Sequence, residues 1–174
     1  MNRLEFETAW GWMDMIASDN GVRAIILPKA TQHAARIELD RALSGLAPIV
    51  RNAGHAGGLL DDAAAQLREY LAGTKRKIQF PFDLSAGSRF QQRVWQALLR
   101  IPYGRVRSYR WVAIRVGGLG YARAVGQAVG ANPVPILVPC HRVVSQDGSL
   151  GGFSGGLRTK RRLLELEGTL SQLR

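Results

Sequence analysis

Glycine and proline cut the second half of this chain into segments that fit only short helices, and this punctuation constrains the fold more than any other feature. Ser88 is a good N-cap for a helix over residues 89–100. Phe90, Val94, Trp95, Leu98 and Leu99 give that helix one apolar stripe, and Pro102 and Gly104 end it. Ser108 caps a second helix over 109–116, after which Gly117-Gly118-Leu119-Gly120 turns the chain tightly. A third helix spans 121–130 and stops at Asn132-Pro133. Two short helices joined by a glycine turn describe a helix-turn-helix, a shape that also occurs in proteins that never touch nucleic acid.

The first half reads differently. Residues 10–17 and 22–27 are apolar and β-branched around Asn20-Gly21, a pair suited to a tight hairpin turn. Residues 31–43 read as a helix, 44–58 as a Gly, Ala and Pro-rich loop, and 61–71 as a short helix capped near Gly73. Residues 77–82 could form a strand, demoted to an edge by Pro81. A boundary at 83–88 divides a small α/β domain (1–85, antiparallel sheet with helices) from a mainly α domain (86–174) that carries the helix-turn-helix.

Charge follows the same division. The 174 residues carry a net charge of +11. Residues 1–80 hold ten Lys/Arg against nine Asp/Glu, and residues 81–174 hold fourteen against four. The asymmetry predicts that the second half touches a polyanion, with a merely solubilising surface as the alternative. No run approaches the ~18 apolar residues of a membrane span. Residues 1–7 lack the apolar stretch of a secretory signal. One cysteine excludes an intrachain disulfide and a zinc ribbon, and points to a reducing cytoplasm or nucleoid.

The third helix is small almost throughout: Ala122-Arg123-Ala124-Val125-Gly126-Gln127-Ala128-Val129-Gly130. Each interior Gly costs roughly 1 kcal/mol relative to Ala, so the composition needs a reason. One is tight packing on a neighbouring helix. The other is close approach to the minor groove, with Arg123 as a long residue able to enter a base stack.

Chemistry centres on Cys140, in Asn132-Pro133-Val134-Pro135-Ile136-Leu137-Val138-Pro139-Cys140-His141-Arg142-Val143. An isolated apolar-flanked cysteine is most often an inert small hydrophobe. Here an imidazole follows directly, and a base can raise the thiolate fraction of a thiol whose ordinary pKa is about 8.5. Adjacent side chains need not face each other, so a water could connect the two. The base needs an orienting acid, and only Asp83, Asp147, Glu165 and Glu167 occur in this half. Downstream, five of the nine residues 148–156 are glycine, without the Gly-Lys-Ser/Thr ending of a phosphate loop. They read as a specialised loop that could wall a pocket with Phe153 as a flat surface.

Pro139-Cys140-His141-Arg142-Val143 resembles the signature of the O6-alkylguanine-DNA alkyltransferases, the methylated-DNA–protein-cysteine methyltransferases. Arg123-Ala124-Val125-Gly126, Asn132-Pro133, Ser154-Gly155-Gly156, Leu163-Leu164 and Glu167-Gly168 follow the family's order and spacing, so the likeness covers about residues 86–170. It implies a DNA repair protein that moves an alkyl group from guanine O6 (or thymine O4) in duplex DNA to Cys140, once per molecule, after minor-groove binding and nucleotide flipping. It implies His141 as a water-mediated base, Glu167 as its orienting acid, and Tyr109 as proton donor to the leaving base. Asn132 would be the hinge tying the helix end to the cysteine turn. Arg123, Ala124, Gly126, Gln127, Gly130 and Tyr109 would meet DNA. Pro135, Val143, Phe153, Ser154 and Gly155 would wall the pocket. No metal and no organic cofactor is implied. The expected state is a monomer, with cooperative assembly on DNA left open. Phe153 stands where many members have Tyr, and Gln127 where a small residue is common. Three other readings are a damage-binding protein without chemistry, disfavoured because Cys140 is present, a thiol-sensing regulator, which would need a further domain, and a cysteine hydrolase, to which the Cys140-His141 adjacency gives little support.

Overall fold

A computed structural model describes residues 2–44 and 56–173. The chain divides into two compact units, Met1–Ala86 and Gly87–Arg174.

Unit one is built on an antiparallel meander of β1 (Asn2–Thr8), β2 (Gly11–Ser18) and β3 (Gly21–Lys29). The predicted hairpin is β2–β3, closed by the Ser18–Gly21 pair. The positive φ falls on Gly21, at 134°. A Cβ there would lie 2.5 Å from the Pro81–Phe82 backbone, so close approach as well as φ demands glycine. Met13 to Ala17 are all buried, so both faces of the central strand are covered. The helices α1 (Gln32–Leu43) and α2 (Ala56–Leu71) pack on the sheet. Ile16, Ala24 and Ile26 of the sheet form one cluster with Ala35 and Leu39 of α1. Thr31 caps α1 by accepting from the Ala34 amide, 3.1 Å.

Three expectations change here. Strand β1 has no counterpart in the sequence reading. Residues 77–82 form no strand: only Phe82 bridges, with the Val22 amide donating to the Pro81 carbonyl at 2.9 Å and the Asp83 amide to the Val22 carbonyl at 2.9 Å. Proline cannot donate, so the ladder does not extend. Of the expected loop 44–58, residues 45–55 lie outside the described residues, and 56–58 already belong to α2.

Unit two contains α3 (Arg89–Leu98), β4 (Arg107–Ser108), α4 (Tyr109–Val116), α5 (Ala122–Gly130), β5 (Val143–Val144) and α6 (Leu157–Leu166). A complete capping box between Ser88 and Gln91 starts α3. The helix ends two residues earlier than expected, and α5 is preceded by a 3₁₀ turn, Leu119–Tyr121. Ser108 caps α4 through the Trp111 amide, 3.2 Å. Gly117 at φ 155° stops it, and a Cβ there would sit 2.8 Å from the Tyr121 ring. The Trp95 indole donates to the Ala128 carbonyl at 2.8 Å, joining α3 to α5 through their buried faces. The short parallel pair β4–β5, unforeseen, sets Val143 opposite Arg107.

Candidate active site

Cys140 opens a 3₁₀ turn, Cys140–Arg142, at the end of the apolar run. The approach is strained: Ile136 takes φ 74°, the left-handed region that a β-branched residue avoids. Asn132, just past α5, spans this turn. Its Oδ1 accepts from the Val134 amide (3.1 Å), and its Nδ2 donates to the Val138 carbonyl (2.8 Å) and to Cys140 Sγ (3.0 Å). Burial pushes the Cys140 thiol above its ordinary pKa, while the Asn132 hydrogen bond and the Lys160 cation pull the other way. A thiol so placed is protonated at neutral pH and needs a base.

The base geometry is present. His141 is fully buried, and its Nε2 lies 2.7 Å from Glu167 Oε1. Glu167 also accepts from Arg142 Nε (2.9 Å to Oε2) and from the Gly104 amide (3.1 Å). Burial alone would raise the pKa of this carboxyl, but His141 and Arg142 hold it at about 2, so it stays ionised. An ionised carboxylate only accepts, so Nε2 carries the imidazole proton. Burial, with Arg142 and Lys160 adding, lowers the His141 pKa against the pull of Glu167. The imidazole is therefore neutral at pH 7, with its lone pair on Nδ1. That atom is buried and has no hydrogen-bond partner among the described residues. Cys140 and His141 make no direct side-chain hydrogen bond.

Beside this network lies a cavity of about 420 Å³ walled by Tyr109, Arg123, Gly126, Gly130, Phe153 and Ser154. Gly126 and Gly130 bear on the question left by the small-faced helix, whose other side packs on Trp95 through Ala128. A Cβ on either would meet nothing within 4 Å, so internal packing does not require glycine there, and the open face is available to an outside body. Tyr109 donates to the Gly152 carbonyl at 3.1 Å. Burial raises its pKa, as does the nearby Cys140, so the hydroxyl keeps its proton.

The structure thus holds Cys140 against Asn132 and His141 against Glu167, two hydrogen-bonded pairs that meet only through the adjacent backbone of Cys140 and His141, and puts Tyr109, Arg123, Gly126, Gly130, Phe153 and Ser154 around one cavity. Gln127 is exposed and Ala124 half-buried on α5, away from the cavity wall. Pro135, Val143 and Gly155 also do not line it: Pro135 and Val143 are buried in the protein interior.

One residue escaped the sequence reading. Lys160 of α6 is fully buried. Its Nζ donates to the carbonyls of Val143 (2.6 Å), Leu150 and Gly152 (3.3 Å), tying the glycine-rich loop to β5. Burial draws its pKa down to about 8, and Cys140 opposes that drop. A signal existed: Lys160, Leu163, Leu164 and Glu167 recur at i, i+3, i+4 and i+7, one helical face.

Known proteins with the same features agree in kind. The family described as "6-O-methylguanine DNA methyltransferase, DNA binding domain" matches residues 89–169. A methylated-DNA–protein-cysteine methyltransferase of Mycobacterium bovis is 52% identical over 110 residues, 63% of this chain and 66% of that protein. One of Salmonella typhimurium is 45% identical over 119 residues, 68% of this chain and 67% of that one. A crystal structure of Mycobacterium tuberculosis OGT in complex with DNA superposes with a TM-score of 0.74 at 36% identity, covering 97% of this chain and 93% of the other. The chain spans about two thirds of the curated relatives it matches. No helix among the described residues is long and apolar enough to cross a membrane, and no group of three or more His, Cys, Asp or Glu among them could hold a metal ion.

Proposed function

Since the chain belongs to the methylated-DNA–protein-cysteine methyltransferases, we propose that it repairs duplex DNA directly, moving an alkyl group from guanine O6 to Cys140 in one turnover. The observation that carries this reading is the polarity of the Cys140–His141–Glu167 network. A protonated, buried thiol shares a turn with a neutral imidazole whose Nε2–H is pinned by an ionised carboxylate and whose Nδ1 is free to accept.

A base edge inside a duplex is out of reach, so the nucleotide must turn out of the stack at a cost of a few kcal/mol. The open face of α5 admits the minor groove, and Arg123 fills the gap left behind. The flipped guanine enters the cavity between Tyr109 and Phe153. His141 takes the thiol proton through water. The Cys140 thiolate attacks the alkyl carbon, the carbon–O6 bond breaks, and its electrons return to the base, which takes a proton from the Tyr109 hydroxyl. Lys160 lies close enough to favour the thiolate electrostatically. One chain carries every residue the step uses, so the working unit in this reading is a monomer on DNA, in the cytoplasm. The product is a thioether, and the chain has no second cysteine.

The test is intact mass. Incubation with a duplex holding one O6-methylguanine should add a single methyl group to the protein and remove it from the DNA. An unchanged protein mass with unrepaired DNA overturns the proposal. Arg123 gives a second check. Arg123→Ala should weaken binding to the methylated duplex by about tenfold, the worth of one good charged hydrogen bond. Reaction with free O6-benzylguanine should be unchanged. Equal loss of both reactions would mean that Arg123 supports the cavity rather than the DNA.

A further inference from the structure

The outer face of α3 carries a groove that this reaction does not use. Arg89, Gln92, Arg93, Gln96 and Arg100 line one side and Arg115 of α4 the other, around about 720 Å³. All four arginines are exposed. The Arg115 guanidinium carbon lies 3.5 Å from the centroid of the Trp111 ring. Residues 84–146 contain nine arginines, no lysine and no carboxylate, so nothing along the chain neutralises this face.

The direction of the groove follows from helix geometry. At 3.6 residues per turn, positions 89, 93 and 96 share an arc of about 60°, and Arg100 follows two residues past the helix end. Val94, Trp95 and Leu98, all buried, lie on the other side of α3. Helix α5 is divided likewise, with Val125, Ala128 and Val129 buried opposite Arg123, Gly126 and Gly130. The two helices meet through the buried sides, at Trp95 and Ala128. Their open faces are therefore turned to different sides, with Phe90 of α3 stacked on Tyr121 beside the start of α5 at 5.6 Å between centroids.

The chemistry of the groove suits a phosphodiester backbone. Guanidinium forks match phosphate oxygens in pairs, and the two glutamines add neutral donors. From Arg89 to Leu98 the face runs about 14 Å, with Arg100 just beyond. Each DNA strand places a phosphate every ~3.4 Å of axis, so this length faces four or five of them. We propose that the groove holds the backbone of a second duplex segment, separate from the one met by α5, so that one molecule ties together two stretches of DNA while its cysteine inspects one.

The experiment uses the full chain with two undamaged duplexes, one carrying a donor dye and one an acceptor. The wild type should produce energy transfer between them at low salt, and the triple variant Arg89→Gln, Arg93→Gln, Arg100→Gln should not. The slope of log affinity against log salt should fall by about 2.7, at ~0.9 for each phosphate that is no longer neutralised. Transfer from free O6-benzylguanine to Cys140 should be equal in both proteins, which shows that the variant is folded. Should the triple variant lose that reaction, Arg93→Gln alone should reduce the slope by about 0.9. No energy transfer with the wild type, or transfer unchanged in a folded variant, overturns the proposal. So does a groove that takes up polyglutamate without bridging duplexes. Failure of the free-base reaction in the wild type would instead strike the alkyl-transfer reading, since bridging needs no chemistry.

Discussion

Replacing Cys140 with serine abolishes methyl uptake without unfolding the protein. The hydroxyl is smaller than the thiol, and Asn132 Nδ2, now 3.0 Å from Sγ, can donate to it as well. The site loses a little packing and keeps its hydrogen bond, a change of about 1 kcal/mol. Chemistry is affected far more. The Cys140 thiol is protonated at neutral pH but far more acidic than a serine hydroxyl, and its thiolate is intrinsically very nucleophilic, so serine asks much more of the base as it attacks. His141, its basicity lowered by burial and two cations, is a poor base for that task. Intact mass after incubation with the methylated duplex should show no adduct, and a gel shift should show binding to that duplex as tight as for the wild type. An adduct on the variant would place the acceptor elsewhere. Loss of binding would mean that the thiol shapes the DNA-facing side.

What could be read in the sequence depended on whether a residue's partners lie nearby in the chain. The caps, glycine stops and apolar stripe of α3 and α4 are local, and Ser88, Gly117 and Trp95 act where their neighbours in the chain imply. Strand β1 was not legible because only Phe6 of its residues is buried. Its polar side is held by Arg3 reaching Asp14 and Asp40, 11 and 37 residues away. Residues 77–82 have a strand-like composition, yet their one bridge depends on where Val22 happens to lie. The early start of α2 runs through Gly57 and Gly58, which signalled a loop.

The site shows the same division. Cys140 and His141 stood out as a pair, and the resemblance joined Glu167 to them. Arg142 was visible only as added charge, because its partners, Glu167 and the Ile101 carbonyl, are 25 and 41 residues away. Lys160 sits among Arg158, Arg161 and Arg162, which are exposed, so the run reads as a solvated face. Helical phase turns this one cation inward, toward carbonyls that a loop supplies. Glycines 126 and 130 left two explanations open, and the empty space around them, which shows that packing does not require glycine there, has no signal in the sequence.

Glu167→Gln tests the most concentrated electrostatic arrangement in the protein. The wild-type carboxylate accepts from His141, from Arg142 through both oxygens, and from the Gly104 amide, all in a buried setting. Glutamine keeps the shape but removes the charge, leaving the Arg142 guanidinium buried beside a neutral amide. Removing one partner of a buried pair costs about 3–5 kcal/mol. The pH dependence identifies the cause. The Glu167 pKa falls from 4.5 to about 2 on folding. A depressed carboxylate adds stability that is complete above its unfolded pKa and lost as pH falls toward the folded one. At 1.36 kcal/mol per unit, that part is about 3 kcal/mol, present at pH 7 and disappearing between pH 4.5 and 2. Urea unfolding across that range should therefore show wild type and variant far apart at neutral pH and converging in acid. A gap that stays constant with pH would trace the loss to packing instead. The reaction should report independently. Glutamine offers a single acceptor oxygen, for which Arg142 and the Gly104 amide compete with Nε2–H, so Nδ1 is no longer firmly reserved as acceptor. Methyl transfer at pH 7, measured on folded protein, should slow by about 10² or more, the usual worth of a positioned base. A folded variant that reacts at the wild-type rate would reduce the His141–Glu167 pair to scaffolding and leave the thiol to find its base elsewhere.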